Sequence, residues 1–247
     1  MGRPGWSWLA IPVLALLLAA CSDNPPPLRE RADGAATVVL ATEDGLRLDA
    51  RLWVTSPSRV AIYLHEYRED QTSWWTYARQ PRNPAISALT IDFRGHGESQ
   101  GEADDIAGML LDVDAAISYV REAGYQHITL VGAGMGGALA IVAAAGHPEI
   151  SVAGLSVPSE FNVVTALTVA PLLESRLALA ASRDDLSAAY SLEEFQQAVD
   201  LGPGHVALYP GRAHGVDMLK GRAGADVRAY LDGVLATFGR QARSASR

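Results

Sequence analysis

Three acidic and basic side chains late in the chain have the types and the order of an acid–base pair. Asp184 and Asp185 follow one predicted strand, and His214 follows the next. A carboxylate that accepts a hydrogen bond from an imidazole orients the ring and stabilises its protonated form, so that the histidine can act as a general base. Either aspartate is therefore a candidate partner for His214.

A glycine-rich turn between a strand and a helix allows two interpretations. Gly132, Gly134 and Gly137 satisfy the G-x-G-x-x-G fingerprint of dinucleotide-binding proteins, which predicts an oxidoreductase. The context disfavours this, because several strands and helices precede the turn. The strand after it also ends in Ser-Val-Pro, where the fingerprint needs an acid for the ribose.

The second interpretation is a nucleophile elbow, G-x-S-x-G, in which glycine has replaced the serine at position 134. Three other segments favour it. His65 and Glu66 end a strand where an oxyanion loop would begin, and the turn-rich segment 92–99 directly follows another strand. The third is the late pair of segments described above, because nucleophile, acid and base then follow one another in the order of that fold.

These motifs resemble the α/β-hydrolase family, nearest to its dienelactone-hydrolase-like and serine-aminopeptidase-like branches, over about residues 36–238. The segment Asp-Phe-Arg-Gly-His-Gly-Glu-Ser at 92–99 and the Ala-His-Gly at 213–215 carry the resemblance. It implies an α/β fold with a mostly parallel twisted sheet, helices on both faces, an antiparallel N-terminal hairpin and a minimal lid. It implies neither a cofactor nor a metal ion.

The resemblance also implies a role for each site residue. Asp185 ends a G-x-x-D-like turn and corresponds to the acid, and Asp184 is the alternative candidate for that role. His214 corresponds to the base. The oxyanion donors would be the backbone N–H of Met135 and that of Glu66 or of the next residue. The family usually has glycine at the position of Glu66, so this chain places a negative side chain near the oxyanion site.

Gly134 removes the nucleophile that this family's mechanism requires. The conformation of an elbow with positive φ suits glycine, which has no Cβ. We expect a degenerate hydrolase that binds a small acyl- or peptide-like ligand, or a partner protein. The alternative is an active hydrolase or lyase in which His214 and Asp185 activate a water molecule. Dinucleotide-dependent oxidation remains a third alternative.

The elements that must position these residues alternate along the chain, which predicts parallel strands covered by helices on both faces. Ser191, with Glu194 three residues on, is interpreted as a capping box that begins a helix. Hydrophobic patterns predict strands over 37–41, 46–54, 60–64, 88–93, 128–131, 152–155, 177–181 and 205–209, and helices over 73–79, 107–123, 136–145, 191–199 and 223–238.

The composition bounds the class of protein. Of 247 residues, 49% are hydrophobic, which is enough for a large core and excludes a disordered chain. The net charge of −8 argues against nucleic acid as a partner. Because Cys21 is the only cysteine, neither an intramolecular disulfide nor a cysteine-based zinc site can form.

The N-terminal segment has the pattern of a targeting signal. Arg3 precedes an apolar run that is too short for a transmembrane helix, and the run ends in Leu-Ala-Ala-Cys, which resembles a bacterial lipobox. We expect lipidation at Cys21 and anchoring in the outer membrane, facing the periplasm. The predicted organisation is a signal peptide (1–20), a proline-rich tether (21–34), a hydrolase domain (35–240) and a tail (241–247).

Overall fold

The chain folds around one sheet. The computed structural model describes Gly2, residues 34–81 and residues 85–245, with side chains as far as residue 238. These residues contain eight strands: β1 (Ala36–Ala41), β2 (Arg47–Trp53), β3 (Arg59–Leu64), β4 (Ser87–Ile91), β5 (His127–Ala133), β6 (Ser151–Leu155), β7 (Leu177–Ser182) and β8 (Val206–Tyr209). The predicted signal peptide and Cys21 lie outside the described residues.

The strands are ordered β1-β2-β4-β3-β5-β6-β7-β8 across the sheet. β2 is antiparallel to both of its neighbours, and the other five pairs are parallel. The turn between β1 and β2 is closed by backbone hydrogen bonds between Thr42 and Leu46 and between Gly45 and Thr42, each 3.0 Å long. The predicted mostly parallel sheet with an N-terminal antiparallel hairpin is confirmed.

Helices cover both faces of the sheet. The α-helices in the described part of the chain are α1 (Thr72–Ala78), α2 (Met109–Glu122), α3 (Met135–Ala145), α4 (Ala166–Val169), α5 (Leu186–Ala198) and α6 (Gly224–Ala245). Alternate side chains of β3 divide between the two layers: Val60, Ile62 and Leu64 join the cluster under α2, α3 and α5, whereas Ala61 and Tyr63 join the cluster under α1 and α6. A strand covered on both faces needs a continuous apolar run, as β3 has from Val60 to Leu64.

The parallel strands place their carboxyl ends at one edge of the sheet. Leu64 of β3 pairs with Gly132 of β5, and Ala133 pairs with Leu155 of β6, so the loops after β3, β5 and β6 leave the sheet side by side. The loops after β7 and β8 leave from the same edge. Ligand sites of open parallel sheets lie at this edge.

Two predicted boundaries were wrong. Helix α5 begins at Leu186, so Ser191 is buried inside the helix and does not cap it. Leu186 and Tyr190 are apolar but exposed, so the pattern of apolar residues misplaced the start of this helix. Helix α6 runs on to Ala245, beyond residue 238, where the sequence predicts its end. Within the described residues, no helix combines the length and the apolar character needed to cross a bilayer.

Candidate active site

The loops after β7 and β8 bring an aspartate and a histidine together. His214 Nδ1 lies 2.6 Å from Asp185 Oδ2, a charge-assisted hydrogen bond that fixes the plane of the imidazole. The backbone N–H of Asp184 donates to Gly211 O at 2.8 Å, which ties the two loops to each other. Asp185 is therefore the aspartate that contacts His214, and Asp184 contributes a backbone hydrogen bond.

The turn between β5 and α3 has the backbone of a sharp elbow. Gly134 has φ 49° and ψ −122°, a conformation that side chains strongly disfavour. A Cβ placed on Gly134 would lie 3.5 Å from His214 Nε2 and 3.4 Å from Glu66 Cγ, at ordinary contact distance. Position 134 therefore faces the free nitrogen of the imidazole, but it carries no side chain to be activated.

The carboxylate of Glu66 lies beside the same nitrogen of that imidazole. Its Oε2 is 3.6 Å from His214 Nε2, while its Oε1 accepts a hydrogen bond of 2.7 Å from the backbone N–H of Val216. Gly215 has φ 50°, and a Cβ there would collide with the carboxylate of Glu66, so the loop after β8 needs glycine at this point. The side chain of Glu66 is only 18% exposed.

Burial raises the pKa of Glu66, whereas the N–H of Val216 and the neighbouring His214 oppose that rise.

The sequence had identified Glu66 as a backbone oxyanion donor and as a negative side chain near that site. The contact between Glu66 and the loop after β8 was missed. It joins segments 150 residues apart, and no local pattern signals such a pair.

His65 holds the loop that carries Glu66. Its Nδ1–H donates to Glu66 O at 2.7 Å, and its Nε2 accepts from the backbone N–H of Phe93 at 3.1 Å. Burial lowers the pKa of His65 to about 4, so the ring is neutral at pH 7, as a ring nitrogen that accepts a hydrogen bond must be. His65 is a positioning residue that lies beneath the site.

The segment 92–99 organises the same loop from the side. Asp92 Oδ1 accepts from the backbone N–H of Gln71 at 2.8 Å, and Asp92 Oδ2 accepts from Gln71 Nε2 and from the N–H of Glu98. The buried side chain of Arg94 makes its own set of ion pairs with aspartates, of which Asp112 is also buried. The motif that carried the family resemblance therefore supports the loop after β3, and its side chains make these contacts within the fold.

Backbone donors flank the space above Gly134. Met135 is the first residue of α3, and the first N–H groups of a helix have no acceptor within the helix. Met135, Glu66 and Tyr67 all line the same pocket, which is where the sequence predicts the oxyanion donors. Their role as donors stays a prediction.

The site opens into a pocket of about 300 Å³. Glu66 and His214 form its polar side, and its walls are largely apolar: Tyr67, Met135, Pro158, Phe161 and Ala188. Between Pro158 and β7 the chain makes only α4 and two short 3₁₀ turns, so this segment forms no large lid over the pocket.

The glycines of the dinucleotide fingerprint have packing roles here. A Cβ on Gly132 would lie 2.4 Å from the backbone of Gly136 and Gly137, so this glycine permits close contact between β5 and α3. After β6 come Ser156 and Val157, neither of which could bind a ribose as an acid would. Within residues 34–81 and 85–238, no group of three histidine or acidic side chains is placed to hold a metal ion.

Comparisons with known proteins agree with this architecture. Residues 55–159 match the family model described as serine aminopeptidase, S33, a stretch that includes the elbow but neither Asp185 nor His214. An esterase of Pyrococcus furiosus superposes with a TM-score of 0.67 at 18% identity, covering 82% of this chain and 92% of the other. The dienelactone hydrolase of Anabaena variabilis gives a TM-score of 0.67 at 16% identity, covering 82% and 97%.

A third similar structure is a putative α/β-hydrolase from Agrobacterium tumefaciens, with a TM-score of 0.65 at 20% identity, covering 81% of this chain and 97% of that one. At such identities the superpositions establish the fold. Comparison with curated proteins found no match.

Proposed function

Since this chain has the α/β-hydrolase fold and is related to that family, we propose that it is a hydrolase relative without serine chemistry, whose pocket binds a ligand. The observation that carries the proposal is Gly134 at the elbow. Acyl transfer in this fold needs a nucleophile within hydrogen-bond reach of the base. The residue that faces His214 Nε2 has no side chain.

Glu66 supports the same proposal electrostatically. Acyl transfer develops negative charge on the substrate oxygen, and catalysis depends on donors that are aimed at that charge. Here a carboxylate lines the pocket beside Met135, one of the two predicted donors. An ionised Glu66 repels a developing oxyanion, so the site is suited to binding a ligand rather than to acyl transfer.

A second candidate is hydrolysis by an activated water. It is favoured by the hydrogen bond of 2.6 Å between His214 and Asp185, which leaves Nε2 directed at the empty space beside Gly134. A water molecule in that space could give its proton to His214 and attack a bound ester or amide. Such activity would disappear with a His214→Ala substitution.

Attachment to the envelope is part of the proposal. The lipobox-like sequence before Cys21 supports a lipid anchor, and the proline-rich residues after it would hold the domain away from the bilayer. Palmitate labelling of cells that express the full chain, compared with Cys21→Ala, tests the anchor. Label in the parent and none in Cys21→Ala is expected.

Restoring the nucleophile tests the catalytic half of the proposal. We expect the full chain to be silent toward short-chain nitrophenyl esters, and Gly134→Ser to gain turnover, because the new Oγ would lie next to His214 Nε2. A matched Gly134→Ala control keeps the added Cβ but lacks the hydroxyl and should stay silent. Adding Glu66→Gln to Gly134→Ser should raise turnover further, by about tenfold or more, because it removes charge from the oxyanion site.

Two results would contradict the proposal. Turnover by the parent that His214→Ala abolishes would establish the water mechanism in its place. Equal turnover by the serine and alanine variants at position 134 would show that the elbow does not face the base as described.

A further inference from the structure

One oxygen of the Glu66 carboxylate is left without a donor. Oε1 accepts from the N–H of Val216, but no N–H or O–H group of the described residues lies within hydrogen-bond distance of Oε2. His214 Nε2 comes nearest, at 3.6 Å. Oε2 is not among the fully buried side-chain atoms of the described residues that lack a partner, so it is open to the pocket, where a ligand group can donate to it.

The charges around Glu66 make its surroundings negative. Glu69 and Asp217 act on Glu66 as further negative charges. Lys220 opposes them, but its ammonium already donates to Asp217 Oδ1 at 2.7 Å. His214 is itself hydrogen-bonded to Asp185, so even a protonated imidazole leaves two carboxylates against one positive charge. The N-terminus of α3 adds only about half a positive charge. The net field of this pocket therefore favours a cation.

Aromatic rings line the pocket next to the carboxylate. Tyr67 and Phe161 have ring centroids 5.6 Å apart at an interplanar angle of 56°, and both line the cavity with Glu66. The guanidinium of Arg68 lies 5.3 Å from the ring centroid of Tyr67, which shows that this ring already accommodates one cation. Ring faces attract cations, and Met135 and Pro158 add apolar contact.

We propose that this pocket binds a primary ammonium group on an apolar body, with the ammonium donating to Glu66 Oε2 and the apolar body packing against Tyr67 and Phe161. The proposal rests on the proposed ligand-binding function and names the chemical class of the ligand. An ammonium supplies both the missing donor and the opposite charge. A neutral hydroxyl supplies only the donor, and a carboxylate supplies neither.

Three probes of matched shape test the proposal on the full chain by titration calorimetry: benzylammonium, benzyl alcohol and benzoate. We expect benzylammonium to bind at least tenfold more tightly than the other two. Glu66→Gln should remove this preference, since the amide is neutral and presents N–H in place of an acceptor. Glu69→Gln removes an equal charge from an exposed position and should change the affinity for benzylammonium less than twofold.

Each outcome decides the proposal. Equal binding of the three probes to the parent overturns it, without need of any variant. So does a Glu69→Gln loss as large as that of Glu66→Gln, because the preference would then come from the general charge of the surface. Ester turnover by the parent contradicts the proposed function alone, since the preference for ammonium is measured independently of turnover.

Discussion

Two buried charged side chains at the same edge of the sheet, Arg94 and Glu66, differ in how fully the protein hydrogen-bonds them. Arg94, whose side chain is 2% exposed, donates from Nε and Nη2 to Asp112 and from Nη1 to Asp105 and Asp44. All of its partners come from the chain itself. Glu66 is also mostly buried, yet only one of its two carboxylate oxygens accepts a hydrogen bond from the described residues.

The difference separates a structural charge from one that is available to a ligand. Burial alone would lower the pKa of Arg94, but the hydrogen bonds with three aspartates outweigh it and raise that pKa. For Glu66, burial raises the pKa, and the bond from Val216 does not cancel the rise. The fold thus stabilises the charge of Arg94 and leaves that of Glu66 only partly compensated.

We expect the largest loss of stability from a substitution that breaks the ion pairs of Arg94, because these are made entirely within the protein. Asp112 is fully buried and accepts three hydrogen bonds from Arg94, one of them from its backbone N–H. Asp112→Ala would leave the guanidinium without its buried partner, and we expect a loss of about 3–5 kcal/mol in the free energy of unfolding. Urea denaturation measures it.

Asp44→Asn is the matched control, because it removes a more exposed partner of the same guanidinium. It should leave the unfolding free energy much closer to that of the parent. Equal losses of unfolding free energy in the two variants would contradict this prediction. The burial of an ion pair with Arg94 would then not determine how much that pair stabilises the fold.

His65 should have an intermediate effect on the unfolding free energy, and this effect depends on pH. Its pKa is lowered from 6.5 to about 4 by burial, so below pH 6.5 the unfolded chain binds a proton that the folded chain does not. The contribution of His65 is therefore lost as pH falls from 6.5 toward 4, with a slope of up to about 1.4 kcal/mol per pH unit. Unfolding free energies of the parent and of His65→Asn across this range measure the slope. A slope that is unchanged in the variant would refute the assignment.

We expect the smallest change in the unfolding free energy from a substitution at Glu66. We expect Glu66→Gln to change the free energy of unfolding by no more than about 1 kcal/mol at pH 7, because the amide oxygen can still accept from Val216 and no charge is left buried. Since the folded pKa is raised, the folded parent takes up a proton first as pH falls toward the ordinary value of 4.5. The parent should then gain stability relative to the variant. A loss as large as that of Asp112→Ala would place Glu66 among the structural charges.

The sequence predicted the fold well because its signals are local. Apolar runs such as 60–64 and the glycine turn at 132–136 indicated a parallel sheet with a sharp strand–helix elbow, and the structure has both. The start of α5 was misplaced because Asp185 adopts the N-cap position without a side-chain cap, while its carboxylate contacts His214. A tertiary contact determined that boundary, and the residues of the first turn could not reveal it.

The candidate site was predictable only in part. The sequence identified the candidate site residues that follow strands, because the carboxyl ends of parallel strands lie together at one edge of the sheet. The contact of the Glu66 side chain with the loop after β8 was not identified, since it depends on the N–H of Val216 and on the positive φ of Gly215 in that distant loop. Which of Asp184 and Asp185 reaches His214 also depends on the turn geometry after β7.

The glycine at the elbow has a practical consequence for chemical detection. Fluorophosphonate reagents label hydrolases when the elbow hydroxyl attacks phosphorus and displaces fluoride to give a phosphonate ester, and Gly134 offers no side-chain oxygen for that reaction. A proteome surveyed with such reagents would leave this chain unlabelled, however abundant it is and however well its pocket is formed. An inventory of active serine hydrolases would therefore omit it.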